Sequence, residues 1–116
     1  MNIDVITFYN KVSSIALSFP GTIPSTSYGT PAFKVNKKMF ARFKEDGKTL
    51  VVYTDDRDRW MKENPATFFI TDHYKNYPAM LVDLATVKKK DLKALLYASW
   101  QLRAPKSLLK KTSSNS

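Results

Sequence analysis

Ser27-Tyr28-Gly29-Thr30-Pro31-Ala32-Phe33-Lys34-Val35-Asn36-Lys37-Lys38-Met39-Phe40-Ala41-Arg42-Phe43-Lys44 is the stretch whose register decides the fold. It opens on a Gly-x-Pro bend and then alternates apolar and basic side chains about a polar centre. That is the pattern of two antiparallel strands with one buried face. A two-residue loop, Asn36-Lys37, sets Val35 opposite Lys38 and Phe33 opposite Phe40. Lys34 then shares the core face with Met39, Ala41 and Phe43, and burying an unpaired lysine is costly. A three-residue loop, Asn36 to Lys38, pairs Val35 with Met39 and Phe33 with Ala41. Phe33, Val35, Met39, Ala41 and Phe43 then form one apolar face, with Lys34, Phe40, Arg42 and Lys44 on the other. A two-residue turn with a β-bulge restores the same faces.

The second face carries three bases with an exposed ring between them. Cations that reach phosphates, beside a ring on which a base stacks, are the ingredients of nucleic-acid binding. The same alternation also describes an ordinary solvated sheet face whose lysines discourage edge-to-edge association.

Outward from this hairpin the elements follow in order. Val5, Phe8, Val12, Ile15 and Ala16 make one helical stripe over Ile3 to Phe19, with Asn2 or Asp4 to cap it and Pro20-Gly21 to stop it. Thr22 to Tyr28 reads as a strand that Pro24 confines to an edge. Glu45-Asp46-Gly47-Lys48 supplies a turn, and Thr49 to Thr54 a β-branched strand. Asp55-Asp56-Arg57-Asp58 opens a short helix, with an Asp to cap it, that buries Trp60 and Met61 and stops at Asn64-Pro65. Thr67 to Thr71 and Ala79 to Leu84 are strands about the aromatic loop Asp72 to Pro78. A last helix, Lys88 to Arg103, buries Leu92, Leu95, Leu96, Ser99, Trp100 and Leu102. The order, helix, three or four strands, helix, two strands, helix, predicts an α+β two-layer sandwich. Its antiparallel sheet has about five strands, with helices packed on one face and the other partly open. One domain covers residues 1–108, and 109–116 reads as a polar, flexible tail.

A chain of 116 residues with 43% hydrophobic and 13% aromatic content is long enough and apolar enough for one core. The absence of cysteine excludes a disulfide framework, a thiol nucleophile and zinc–thiolate sites. The start, Met1-Asn2-Ile3-Asp4, lacks a signal-peptide pattern, and the apolar runs are too short to span a bilayer, so a cytoplasmic protein with no membrane partner is expected. The formal charge is +9 and uneven: neutral over 1–28, +4 over 29–54, −2 over 55–83 and +7 over 84–116. Such a field attracts polyanions.

Several segments together resemble the MmcQ/YjbR-like family, small bacterial proteins described as DNA-binding. They are Phe19-Pro20-Gly21, Ser27 through Val35, Lys38 through Arg42, Phe68 through Thr71, His73-Tyr74, Tyr77-Pro78-Ala79, and Trp100 through Lys106. The resemblance covers residues 5 to 108. It implies a two-layer fold of the secretion-chaperone or frataxin-like kind, and a double-wing arrangement in which the sheet and its hairpins contact DNA. Family members often carry acids where the last helix begins; this chain has Lys88-Lys89-Lys90, at a dipole end that disfavours cations. Those lysines read either as part of a basic patch or as mobile groups at a frayed end. The acidic first helix by which frataxin-like relatives bind iron is missing, since Asp4 is the only acid there.

The leading functional expectation is a non-enzymatic, monomeric DNA-binding protein. It would use Lys34, Lys38, Arg42 and Lys44 with Phe40 as a stacking group, extended by Lys88, Lys89, Lys90, Arg103 and Lys106. Such binding is electrostatic and weakly sequence-specific, because there is no recognition-helix signature. The alternative is a small-molecule or protein-binding module with an aromatic pocket at Tyr28, His73, Tyr74, Tyr77 and Trp100. His73, the sole histidine, excludes a histidine metal cluster within one chain; beside Asp72 and Tyr74 it reads as a general base or as a group that positions its loop. No phosphate loop or nucleophile elbow is present, and the aspartates at 55, 56 and 58 are accounted for by capping. The sequence therefore calls for no cofactor, metal or catalytic residue.

Overall fold

The computed structural model describes residues 3–113. Its elements are α1 (Ile3–Ala16), β1 (Thr22–Ser27), β2 (Thr30–Val35), β3 (Lys38–Phe43), β4 (Thr49–Tyr53), α2 (Arg57–Glu63), β5 (Phe68–Phe69), β6 (Ala79–Asp83), α3 (Lys89–Arg103) and α4 (Lys106–Ser113). The strands form one antiparallel sheet in the order β1-β2-β3-β4-β6-β5. The first four make a meander, and α2 carries the chain past β4 so that β6 returns between β4 and the short edge strand β5. The α+β sandwich expected from the sequence is present, with six strands. Strand β5 has only two residues, where a strand over Thr67 to Thr71 was expected.

The helices cover one face of the sheet. Phe33, Val35, Ala41, Phe43, Leu50, Val52, Phe68, Met80 and Val82 pack with Val12, Ile15 and Ala16 of α1 and Leu92, Leu95, Leu96 and Trp100 of α3 in one buried cluster. Trp100 is fully buried and donates its indole Nε1–H to the Pro20 carbonyl at 3.0 Å, tying α3 to the turn after α1. Its burial places it in the core and away from the aromatic pocket to which the sequence assigned it. Leu102, expected in the core, is 42% exposed. The polar tail expected from 109 begins as helix α4, because Leu108 and Leu109 pack against the core. Residues 114–116 of that tail, and the Asn2 cap, lie outside the described residues.

The central hairpin takes the two-residue turn with a bulge. Asn36 and Lys37 both adopt positive φ, 51° and 67°, the pair of values a tight hairpin needs to match strand twist. Val35 pairs with Lys38 and Lys34 with Met39, then the register shifts so that Phe33 faces Ala41 and Ala32 faces Arg42. Phe40 is the extra residue. The bulge breaks the alternation there, and Phe40 joins the core cluster with 1% exposure, while Met39 moves out beside Lys34. The turn before β4 is held by Asp46, whose carboxylate accepts the backbone N–H groups of Lys48 and Thr49 and the Thr49 hydroxyl, at 3.0, 2.9 and 2.8 Å. Partial burial raises this carboxyl, but those bonds and the Lys48 charge outweigh it and hold it below its ordinary 3.8. Its contribution is complete above that value and is lost as pH falls through the depressed one.

Lys37 has a side chain where glycine is the preferred residue, and a left-handed residue with a Cβ costs roughly 1–2 kcal/mol. Part of the relief is returned as unfolded-chain entropy. Lys37→Gly is expected to raise stability by about 0.5–1 kcal/mol in a denaturant melt. A loss would mean that the turn is not of this type.

Candidate functional site

The other sheet face is covered at one end. Between β5 and β6 the chain makes a single 3₁₀ turn, Asp72–Tyr74, and then runs exposed from Lys75 to Pro78 into β6. Tyr74 folds back over the face, 8% exposed, and packs with Val51, Ala79 and Leu81, with Phe69 and Ile70 alongside. Backbone N–H groups reach some of its carbonyls, from Tyr77 to Tyr74, from Ala79 to Tyr77 and from Thr54 to Pro78, and Arg57 from the first turn of α2 adds a side-chain donor that gathers several of them. Its Nη1 lies 2.8, 2.7 and 3.1 Å from the carbonyl oxygens of Tyr74, Tyr77 and Ala79, and its Nη2 lies 2.7 Å from that of Lys75. Two Nη1 hydrogens are shared among three acceptors. The planar fork suits this role as a lysine ammonium cannot. Asp56, at the N-cap position of α2, makes no side-chain cap bond because its carboxylate is turned to Arg59 at 2.6 Å.

The loop and the β1–β2 turn enclose a cleft of about 530 Å³, open to solvent on one side. Tyr28, Met39, Arg42, Tyr53, Tyr74 and Tyr77 line it, with His73 and Glu45 at its margins. Tyr28 sits at positive φ, 54°, in the turn before Gly29, which swings an 85%-exposed ring over Arg42, 5.2 Å from the guanidinium carbon. His73 meets Tyr74 edge-on, with ring centroids 4.8 Å apart, and stacks on Tyr77 at 5.8 Å. The aromatic residues expected to gather, Tyr28, His73, Tyr74 and Tyr77, therefore surround one cleft. Trp100 is absent from it.

Arg42 differs from its sequence reading. It is 9% exposed, where a free surface cation was expected. Its position opposite Ala32 and Val51 puts it on the open face, but Tyr74 and Tyr28 cover it. Nη1 donates to Thr30 Oγ1 at 3.3 Å and to the Phe43 carbonyl at 3.2 Å, and Nη2 to the Tyr74 hydroxyl at 3.2 Å. All three acceptors are neutral. Phe40, expected to be an exposed stacking ring, is in the core because the bulge rotates it there.

The remaining predicted cations do not form one patch. Lys34 is half-buried beside Met39, Lys38 is exposed at the hairpin, and the Lys44 ammonium lies 5.8 Å from the centre of the Tyr74 ring. Arg103 donates to the Met39 carbonyl at 3.2 Å and covers the Tyr53 ring at 4.0 Å, so it belongs to the hairpin end of the sheet with exposed Lys106 following it. Lys88, Lys89 and Lys90 are exposed at the other end of α3, a 15-residue helix about 22 Å long. Lys88 makes no side-chain cap bond. Among the described residues no group of three or more His, Cys, Asp or Glu side chains is placed to hold a metal ion. None of the helices there is long and apolar enough to cross a membrane.

The role of Arg57 was missed in the sequence, where it looked like one more base in a helix start. The run Asp72 to Pro78, seven residues with neither helical nor alternating pattern, is the signal that some side chain must satisfy its backbone. The exposed ring on a positive-φ residue at Tyr28 had no sequence signal beyond the Gly29 that follows it.

Fold and cleft together define a class: a small open-faced α+β sandwich with an aromatic loop closed over one end of its sheet. The chain belongs to the YjbR family, whose sequence pattern matches residues 17–102. It is also similar to uncharacterised proteins of Mycobacterium bovis and Mycobacterium tuberculosis, at 39% identity over 54 residues in each case. Those matches take in 47% of this chain and 42% of each relative, so the chain spans less than half the length of the curated relatives it matches.

Arg57→Lys keeps the charge and loses the fork. Hydrogen bonds from a charged donor contribute roughly 1.5–3 kcal/mol each, and solvent and the backbone donors already on Tyr74 and Tyr77 replace part of that here. The expected result is a destabilisation of about 2 kcal/mol, with hydrogen exchange accelerated at Tyr74, Tyr77 and Ala79 and unchanged in α3. Unchanged exchange in the loop would show that something else holds it.

Proposed function

We propose that this chain is a non-enzymatic binding module of the cytoplasm whose site is the aromatic cleft on the open sheet face. One observation carries the reading: Tyr28, His73, Tyr74 and Tyr77, from two separate segments, converge on one concavity. Its size, about 530 Å³, lies within the roughly 300–1,000 Å³ usual for small-molecule sites. Exposed rings at Tyr28 and Tyr77 offer flat apolar surface for a planar ligand. His73 makes ring contacts with its two tyrosine neighbours, which supports a wall of the site over a general base paired to a nucleophile.

A second reading, DNA binding of the double-wing kind, is supported by the cations at the hairpin end, where Lys34, Lys37 and Lys38 lie near Arg103. Binding there is electrostatic, and it needs neither Phe40 nor the distant Lys88 to Lys90.

One set of titrations separates the two. Indole added to the ¹⁵N-labelled chain is expected to shift amides around the cleft. Tyr28→Ala, at an exposed position, weakens that binding about fivefold or more, as stacking energies near 1–3 kcal/mol require. Shifts that are absent or scattered over the molecule would overturn the cleft reading. For DNA, affinity that falls steeply from about 50 mM salt upward, and is lost in the Lys34→Glu, Lys38→Glu double variant, supports the second reading. No binding at that salt would overturn it.

A further inference from the structure

The cleft has a cation at its floor. Arg42 is nine-tenths buried and lines the cleft, yet it forms no ion pair with any carboxylate among the described residues. A guanidinium has five N–H donors. Three are used, on Thr30, Phe43 and Tyr74, leaving the Nε–H and one Nη2–H with no protein acceptor among the described residues. Buried charges are ordinarily paired, because neutral hydrogen bonds and ring faces offset only part of the lost hydration.

The surroundings also favour an anion. The Lys44 ammonium faces the same Tyr74 ring that bonds to Arg42, and Arg103 lies over Tyr53 on the cleft wall. The one carboxylate lining the cleft, Glu45, is exposed and forms no ion pair with Arg42. The walls are rings: Tyr28 above the guanidinium, Tyr74 beside it and Tyr77 beyond.

From this we infer that the cleft recognises a planar aromatic anion, a flat ring bearing a carboxylate or phosphate, with the anionic group on Arg42 and the ring against Tyr28 and Tyr77. The inference rests on the cleft reading above and adds the charge of the ligand. A carboxylate or a phosphate monoester presents paired oxygens to two adjacent N–H donors, which is the geometry an arginine fork selects. The rings exclude water from one side of that contact and so strengthen it.

Two matched probes test it. Benzoate and benzamide share a shape and differ in charge, and phenyl phosphate carries the other anion. In ¹⁵N spectra that include arginine side chains, benzoate or phenyl phosphate is expected to bind about tenfold or more tightly than benzamide. Whichever of the two binds tighter identifies the anion. The same probe should move the Arg42 Nε–H resonance. Arg42→Gln is expected to erase the preference for charge while leaving benzamide binding in place. If that variant does not fold, the Arg42 Nε–H shift in the unaltered protein carries the test alone. Equal affinity for benzoate and benzamide, with the cleft amides shifting and Arg42 unmoved, would overturn the anion assignment and leave the cleft. No cleft shift with any probe would overturn both.

Discussion

A single guanidinium ties the aromatic loop of this protein over the open face of its sheet. The chain from Tyr74 to Ala79 makes few backbone hydrogen bonds to the sheet, and four of its carbonyls converge on Arg57. Hydrogen bonds from a charged donor are stronger than those between neutral groups, so this contact, with the packing of Tyr74, holds the loop on the sheet. With the loop in place Tyr74 is buried, its hydroxyl meets Arg42, and its ring covers Val51 and Leu81. Without it the open face would be the flat, solvated surface that charge alternation in the strands suggests.

The arginines of the molecule illustrate how differently one side chain type can act. Arg59 pairs with Asp56 and Glu63 on the surface, where both partners are about half exposed and such pairs contribute little. Arg57 is enclosed by backbone oxygens and serves structure. Arg42 is the most buried of the four and, like Arg57 and Arg103, forms no ion pair among the described residues, with neutral acceptors and an aromatic lid around it. The fold tolerates it because guanidinium is weakly hydrated and stacks well on rings. Its bonds to Thr30, Phe43 and Tyr74 leave two N–H donors unused, and the proposed anionic ligand rests on that surplus.

Much of the architecture was legible because it depends on local pattern. The helical stripe of α1, the edge placement of β1 by Pro24, the meander and the buried side of α3 all follow from periodicity and from proline. A bulge shifts the two-residue period by one, so Phe40 and Met39 exchange faces instead of keeping the faces that strict alternation sets. Helix α4 escaped because its apolar content is only Leu108 and Leu109, which matter through their packing on a distant core. The gathering of Tyr28 with the 73–77 loop was legible as a composition of rings, whereas the burial of Arg42 beneath them was not. Burial of a charged residue depends on contacts across about thirty residues of sequence, and on an Arg57 clamp that no local pattern announces.

The central claim is that this face is a covered cleft with Arg42 at its floor, and not a flat basic surface with Phe40 projecting from it. Hydroxyl-radical footprinting of the intact chain, read by mass spectrometry, measures this most directly. The account predicts heavy labelling at Tyr28 and Tyr77 with Phe40 and Tyr74 protected. Labelling of Phe40 and Tyr74 at the level of Tyr28 would contradict it.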